Sequence, residues 1–211
     1  KGHDAPALYS VLTMRGAIPF EKIHKFRRIN GLPGHPDVST NGIWTNTGSL
    51  GMGISKAKGF LIANHLKNKR GRVVVLVGDG ELQEGQIWEA IMYAGAKKVD
   101  NLILSVDVNN QQISGSTEEI LSLGNLKNKF VAFNWDVIEI NDGNNLESVL
   151  NTLKKAKTMT QKNRPICVLL KTEMGYGVNY MMGSHKWHGI APNDDELTKA
   201  LGQINETLDD Y

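Results

Sequence analysis

Arg72-Val73-Val74-Val75-Leu76-Val77-Gly78-Asp79-Gly80-Glu81 is the stretch on which the fold turns. Five consecutive residues, Val73 to Val77, are β-branched or leucine, and polarity returns abruptly at Gly78. A continuous apolar run of that length reads as a strand covered on both faces, as in a parallel sheet. Downstream, Glu84–Ala96 has helical spacing, with Ile87, Ala90, Ile91 and Ala94 on one side. Leu102–Val108 is then a second buried strand, closed by Asn109-Asn110-Gln111. One strand–helix–strand unit therefore separates Asp79 from Asn109. The same alternation extends in both directions. Helical patterns occupy Pro6–Met14, Phe20–Arg28, Leu50–Leu66 (Leu50, Ile54, Ala57, Leu61 and Ala63 inward), Leu126–Phe133, Leu146–Ala156 (Leu146, Val149, Leu150 and Leu153 inward) and Asp194–Leu208. Further strands are expected at Trp135–Ile140 and Pro165–Leu170. The fold class is α/β: a parallel sheet with helices on both faces. No linker or repeat divides the chain, so residues 1–211 are read as one domain.

Composition excludes several classes of function. Twenty-four basic and 22 acidic residues leave a formal charge of +2, closely mixed along the chain, which offers no nucleic-acid or membrane-surface footprint. The apolar runs are far too short to span a bilayer. A single cysteine, Cys167, precludes an internal disulfide framework and fits a reducing, cytoplasmic setting. It lies inside a strand pattern and reads as core. No secretory signal opens the sequence. It runs from Lys1-Gly2-His3-Asp4 straight into a helical pattern, and that abrupt opening points to a trimmed terminus or to a leader upstream.

In a parallel α/β sheet the ligand sits beyond the carboxyl ends of the strands. Two loops fall there: Gly78-Asp79-Gly80-Glu81 and Asp107-Val108-Asn109-Asn110-Gln111. A carboxylate, an amide oxygen and a backbone carbonyl are hard ligands of the kind magnesium takes at roughly 2.0–2.1 Å. Gly78 and Gly80 would let backbone approach a diphosphate, and the amides opening the next helix would face its charge. Either motif alone is more often an ordinary turn. The pair, each closing a buried strand one crossover apart, favours a ligand site. Among six histidines, His3, His35 and His188 each adjoin a glycine in loop-like sequence, where functional histidines concentrate. His24 and His65 read as surface residues and His185 is open between site and solvent. Trp44, Trp88 and Trp187 read as packing residues, Trp135 as core and Lys171 as a solvated strand end.

Gly78-Asp79-Gly80 followed by Asn109-Asn110 resembles the thiamine diphosphate motif of a large enzyme superfamily. The wider motifs resemble transketolase: Thr47-Gly48-Ser49-Leu50-Gly51-Met52-Gly53, Gly78 through Ala90, Lys1-Gly2-His3, Gly34-His35-Pro36, Gln112-Ile113-Ser114-Gly115 and Trp187-His188-Gly189. The resemblance runs to about Pro192. It is nearest to the amino-terminal, diphosphate-binding subunit of split transketolases.

That resemblance implies a thiamine diphosphate and Mg2+ site. Asp79, Asn109 and the Gln111 carbonyl would be the metal ligands. Gly78, Gly80 and Glu81 would lie by the diphosphate, with His3 and His188 near it and near the reacting centre. His35 would bond the donor sugar, Gly48 and Leu50 would lie against the cofactor rings, and Glu84 would be a buried glutamate coupling two cofactor sites across a dimer. The implied reaction moves a two-carbon ketol unit from a ketose phosphate to an aldose, as in pentose phosphate metabolism. Too little chain follows Pro192 for the family's pyrimidine-binding domain. The chain is therefore expected to be inactive alone and to work with a carboxyl-terminal subunit carrying that domain, in an α2β2 heterotetramer, on sugar phosphates. Two departures stand out. An upstream helical segment bearing another histidine is absent, and Asn41-Gly42-Ile43-Trp44 differs from the family pattern, which points away from the common pentose phosphate. The alternatives are the α subunit of a 2-oxoacid dehydrogenase, which would share Asp79 and Asn109 but lack Gly34-His35-Pro36 and Trp187-His188-Gly189, and a non-catalytic cofactor-binding module.

Overall fold

The structure is a computed structural model that describes residues 1–204. Four strands form a parallel sheet: β1 (Val73–Gly78), β2 (Leu102–Val108), β5 (Asp136–Ile140) and β6 (Ile166–Lys171), in the order β1-β2-β6-β5. Two short strands, β3 (Gln111–Gln112) and β4 (Gly115–Ser116), make a separate antiparallel hairpin directly after β2. The helices are α1 (Ala5–Met14), α2 (Gly53–Leu66), α3 (Gly85–Ala96), α4 (Thr117–Leu121), α5 (Leu126–Ala132), α6 (Leu146–Met159) and α7 (Asp194–Leu201). Four 3-10 turns, Gly2–Asp4, Phe20–Lys25, Gly80–Gln83 and His185–His188, complete the set among the described residues. The expected helix over Asp194–Leu208 is present as α7 but ends at Leu201, with Gly202 as its C-cap, and residues 205–208 lie outside the described part of the chain.

Helices cover both faces, as the alternating pattern predicts. On one face Ile54, Ala57 and Leu61 of α2, Ile87, Ile91 and Ala94 of α3 and Phe130 of α5 pack against Val77, Leu104, Val106, Cys167 and Leu169. Trp135 joins this core, and its buried indole donates to the Ile91 carbonyl at 3.0 Å. On the other face, Ala156 and Val149 of α6 pack against Ile103, Ile166, Val168 and Leu170. A third, smaller core ties α1 to the Phe20–Leu32 loop through Tyr9, Ile18 and Leu32.

Several local expectations are corrected. β1 is covered on one face only. It is an edge strand, α6 lies over the β5–β6 side, and Val74 stays 58% exposed. The long helix begins at Gly53 and not at Leu50, because Gly51 has φ +79, a left-handed conformation that a helix cannot contain. Leu50 is left on the loop, and Ala63 faces outward. The stretch from Phe20 is a 3-10 turn that ends at Lys25, ahead of the left-handed Arg27 (φ +56). In α6 the inward stripe is centred on Val149 and Ala156. Leu146 and Leu150 are exposed and stand outside that core. Trp44 is not a packing residue: it is 83% exposed. Trp88 does pack, stacking near Phe130 and donating to the Leu82 carbonyl at 2.6 Å. Trp187 donates to the Tyr180 carbonyl at 3.0 Å. His24, His65 and Lys171 are exposed and Cys167 is buried, as read from the sequence.

Candidate active site

The register of the sheet assembles the site. Gly78 pairs with Asp107, so the loops leaving β1 and β2 start side by side, and the Asp79 amide extends the ladder by donating to the Asp107 carbonyl at 3.0 Å. Asp79 is 1% exposed. Its Oδ1 accepts the Gly80 amide at 2.8 Å and its Oδ2 accepts the Asn110 amide at 2.6 Å. Burial pushes this carboxyl above its ordinary range. The two amides oppose that push, and the neighbouring Asp107 adds to it. A carboxylate offers about four acceptor sites and two amides use only half of them. Asp79 therefore stands as a buried, under-compensated negative charge with lone pairs to spare.

Asn109 and Gln111 sit on the adjoining loop. Asn110 between them is left-handed, φ +58, which folds the chain back into the β3–β4 hairpin. The Asn109 Oδ1 accepts the Gln111 amide at 2.9 Å. Asp79, Asn109 and Gln111 line one cavity of about 490 Å³. Gly78, Gly80 and Glu81 line it from the end of β1. Gly48 and Leu50 line it from the loop before α2, and His3, His35, His188 and Glu84 complete its wall. Every site residue named from the sequence thus faces a single cavity at the carboxyl edge of the sheet.

Two of those residues behave differently from the expectation. Glu84 is exposed in this chain: it holds the N-cap position of α3 at the rim of the cavity, and its side chain makes no capping hydrogen bond. The buried glutamate is Glu81. Its Oε1 accepts the Gly51 amide at 2.9 Å and its Oε2 accepts the Gly78 amide at 3.3 Å, so it clamps the loop before α2 onto the end of β1.

The histidines form a tuned cluster. The rings of His3 and His188 lie 5.2 Å apart. Burial lowers both below the ordinary 6.5. The Lys1 charge pushes each down further, and Asp4 opposes this. Neutral imidazoles are thereby favoured, each with one donor and one acceptor nitrogen. His35 is exposed and borders the same cavity beside Gly48.

The donor set fits a hard cation and a phosphate-bearing ligand. A Cβ at Gly80 would lie 3.0 Å from the Gln112 Cβ, so the bare backbone there makes a close approach that a side chain would block. The Gln112 Oε1 beside it is buried with no hydrogen-bond partner. Among the described residues no three His, Cys, Asp or Glu side chains gather to hold a metal. The available ligands are one carboxylate with amide and carbonyl oxygens, which suit magnesium and not zinc. Sequence reasoning missed three groups near this site. Lys1 and Arg27 line the cavity, and Asp107 bonds Lys1 at 2.6 Å. Arg27 is hidden in the surface-like run Lys25-Phe26-Arg27-Arg28, and no spacing rule marks it.

A parallel sheet with its polar loops gathered at the strand ends defines a ligand-binding α/β domain. Its family is defined by comparison. The chain belongs to the transketolase family: residues 1–205 match the family described as transketolase, thiamine diphosphate binding domain. It is 37% identical over 210 residues to an apulose-4-phosphate transketolase subunit of Phocaeicola vulgatus, covering 99% of this chain and 74% of that protein. It is 36% identical over 208 residues to the 6-deoxy-6-sulfo-D-fructose transketolase subunit SqwG of Clostridium sp., covering 98% of this chain and 74% of that one. The crystal structure of Campylobacter jejuni transketolase superposes with a TM-score of 0.87 at 34% identity, over 96% of this chain and 33% of that chain. The chain therefore spans about three quarters of these two subunits and a third of a solved transketolase. It is the thiamine diphosphate-binding part of a family of thiamine diphosphate-dependent transferases, and membership in that family sets aside the 2-oxoacid dehydrogenase reading. Among the described residues no helix is long and apolar enough to cross a membrane.

Proposed function

We propose that this chain is the diphosphate-binding subunit of a split transketolase that moves a two-carbon ketol unit from a phosphorylated ketose to an aldose. The observation that carries this reading is the convergence of Asp79, Asn109, Gln111, His3, His35 and His188 on one cavity at the ends of β1 and β2. Asp79, the Asn109 amide oxygen and the Gln111 carbonyl would hold Mg2+, and the bare backbone at Gly80 would meet the diphosphate. When bound, thiamine diphosphate supplies the carbon nucleophile for breaking the bond between carbons two and three of the ketose. His3 and His188, kept neutral by burial, would accept and return protons at sugar hydroxyl oxygens, and His35 would hold the donor at the cavity mouth. Relatives that are themselves named as transketolase subunits, and the exposed Glu84 at the cavity rim, support a partner chain in an α2β2 assembly that covers this face and carries the pyrimidine-binding domain. Two relatives are named for sugars outside the common pentose phosphates, which agrees with the unusual Asn41–Trp44 segment.

The test is reconstitution. This chain and a candidate partner are purified apart, and ketol transfer is assayed with each alone and with both, in thiamine diphosphate and Mg2+. Transfer by the mixture only is expected. Transfer by this chain alone, or none by a stable complex with any ketose tried, would count against the reading.

A further inference from the structure

The penultimate residue of β2 carries a side chain that no role above uses. Asp107 pairs with Gly78 on one side and with Leu170 on the other, so the residue stands between the ends of β1 and β6. It gathers three donors: the Lys1 ammonium at 2.6 Å, the Thr172 hydroxyl and the Asn109 side-chain Nδ2 at 3.3 Å. A carboxylate can only accept, so the atom that Asn109 turns toward it must be the NH2 group. The other end of the amide agrees. It receives the Gln111 backbone N–H at 2.9 Å, which only an oxygen can do. An asparagine amide is otherwise ambiguous between two orientations related by a half-turn. Here the two contacts fix it from both sides.

We infer that Asp107 is a positioning residue that locks the Asn109 amide so that its oxygen, and not its NH2, is offered to the cation. The inference rests on the reading of Asn109 as a magnesium ligand. An amide free to turn would present a donor to the metal for part of the time, and a donor cannot ligate. Lys1 and Thr172 hold Asp107 in turn, one from the amino-terminal turn and one from the end of β6. The orientation of a single amide therefore depends on three segments distant in sequence. Residues that orient a metal ligand typically contribute about 10–100-fold to metal affinity.

The measurement is magnesium affinity by calorimetry at saturating thiamine diphosphate, on the complex of the full chain with its partner subunit. The apo melting temperature of each variant serves as a control for plain structural damage. Asp107→Ala is expected to raise the magnesium dissociation constant about 10–100-fold. Asp107→Asn keeps an oxygen toward Asn109 and can donate to Thr172, and is expected to stay within a few-fold of the parent. Thr172→Val loosens Asp107 without touching Asn109, and should raise the constant by a smaller factor than Asp107→Ala. If Asp107→Ala fails to assemble, unchanged affinity in Thr172→Val overturns the inference. Equal, large losses in Asp107→Asn and Asp107→Ala would mean that the charge itself binds the metal, and would also overturn it. Parent-like affinity in Asp107→Ala refutes this inference alone, whereas a parent complex that binds no magnesium refutes the functional reading and this inference with it.

Discussion

Asp79→Asn separates folding from ligand binding, and the structure sets both magnitudes. In the free chain the Asp79 carboxylate accepts two amides, from Gly80 at 2.8 Å and Asn110 at 2.6 Å. Asparagine keeps one acceptor oxygen and turns its NH2 on the other amide, which costs about 1–3 kcal/mol for the unsatisfied donors. Removing a charge whose ionised form burial disfavours returns part of that cost. The free variant should therefore melt within a few degrees of the parent. The loaded protein behaves differently. On the proposed reading of Asp79 as the ligand, magnesium would lose its one buried carboxylate, and a lost charge-assisted contact of about 3 kcal/mol corresponds to roughly a hundredfold in affinity. With ligand at a hundred times the parent's dissociation constant, mass action stabilises the parent by about 2.7 kcal/mol, or roughly 5–11 °C in a protein of this size. The same concentration only equals the variant's constant, giving about 0.4 kcal/mol and roughly 1 °C. The assay is a melting curve of the chain in complex with its partner subunit, with and without thiamine diphosphate and Mg2+. A variant shifted as far as the parent would refute the role of Asp79. A parent that does not shift would refute the site as a whole.

Three other perturbations test other parts of the structure. A Cβ at Gly95 would lie 1.7 Å from the Phe133 carbonyl oxygen, which is backbone and cannot swing aside, so Gly95→Ala should push α3 off the α5–β5 turn. About 3 kcal/mol or more of destabilisation is expected, a fall of roughly 6–12 °C in melting temperature, and a loss under about one degree would disprove the contact. His3 and His188 are held below the ordinary 6.5, so above that pH they add no pH dependence. As pH falls from 6.5 through their lowered folded values, the unfolded chain takes up protons that the folded chain refuses, and stability is lost. His188→Gln should flatten the decline of melting temperature below pH 6.5, and an unaltered slope in the free protein would contradict the assignment. Glu81→Ala leaves the Gly51 and Gly78 amides without an acceptor and should cost about 2–4 kcal/mol in chemical denaturation. A parent-like midpoint would show that the clamp does not hold the loop before α2.

The sheet was legible because its signal is local. The runs Val73–Val77 and Ile166–Leu170 are apolar over a strand's length and stop at a glycine or a lysine, and Leu102–Val106 is interrupted only by the buried Ser105. The pattern of helices between them leaves little choice but a parallel sheet. What the sequence hid is tertiary. Val74 has the same composition as Val75, and only the strand order reveals that one side of β1 has no helix over it. Leu146 and Leu150 fit the helical period of α6, but the period does not tell which of its apolar residues meet the sheet. Trp44 reads as a packing residue from its type, yet its loop leaves it in solvent.

The site divides along the same line. Asp79 and Asn109 were legible because each closes a strand, and register alone brings such positions together: Gly78 opposite Asp107 fixes the rest. Residue identity could not separate Glu81 from Glu84. Both are glutamates in one turn, yet Glu81 has both oxygens taken up by backbone amides while Glu84 is exposed at the rim. Nor could it single out Asp107, whose meaning lies in Lys1 and Thr172, far away in the chain and adjacent only through the β1–β2–β6 order. Residues proposed to act through their own atoms can be read from a strand end and a residue type. Residues that act by holding those side chains can be read only after the strands are placed, because what they contribute is an orientation, and an orientation has no trace in a single sequence.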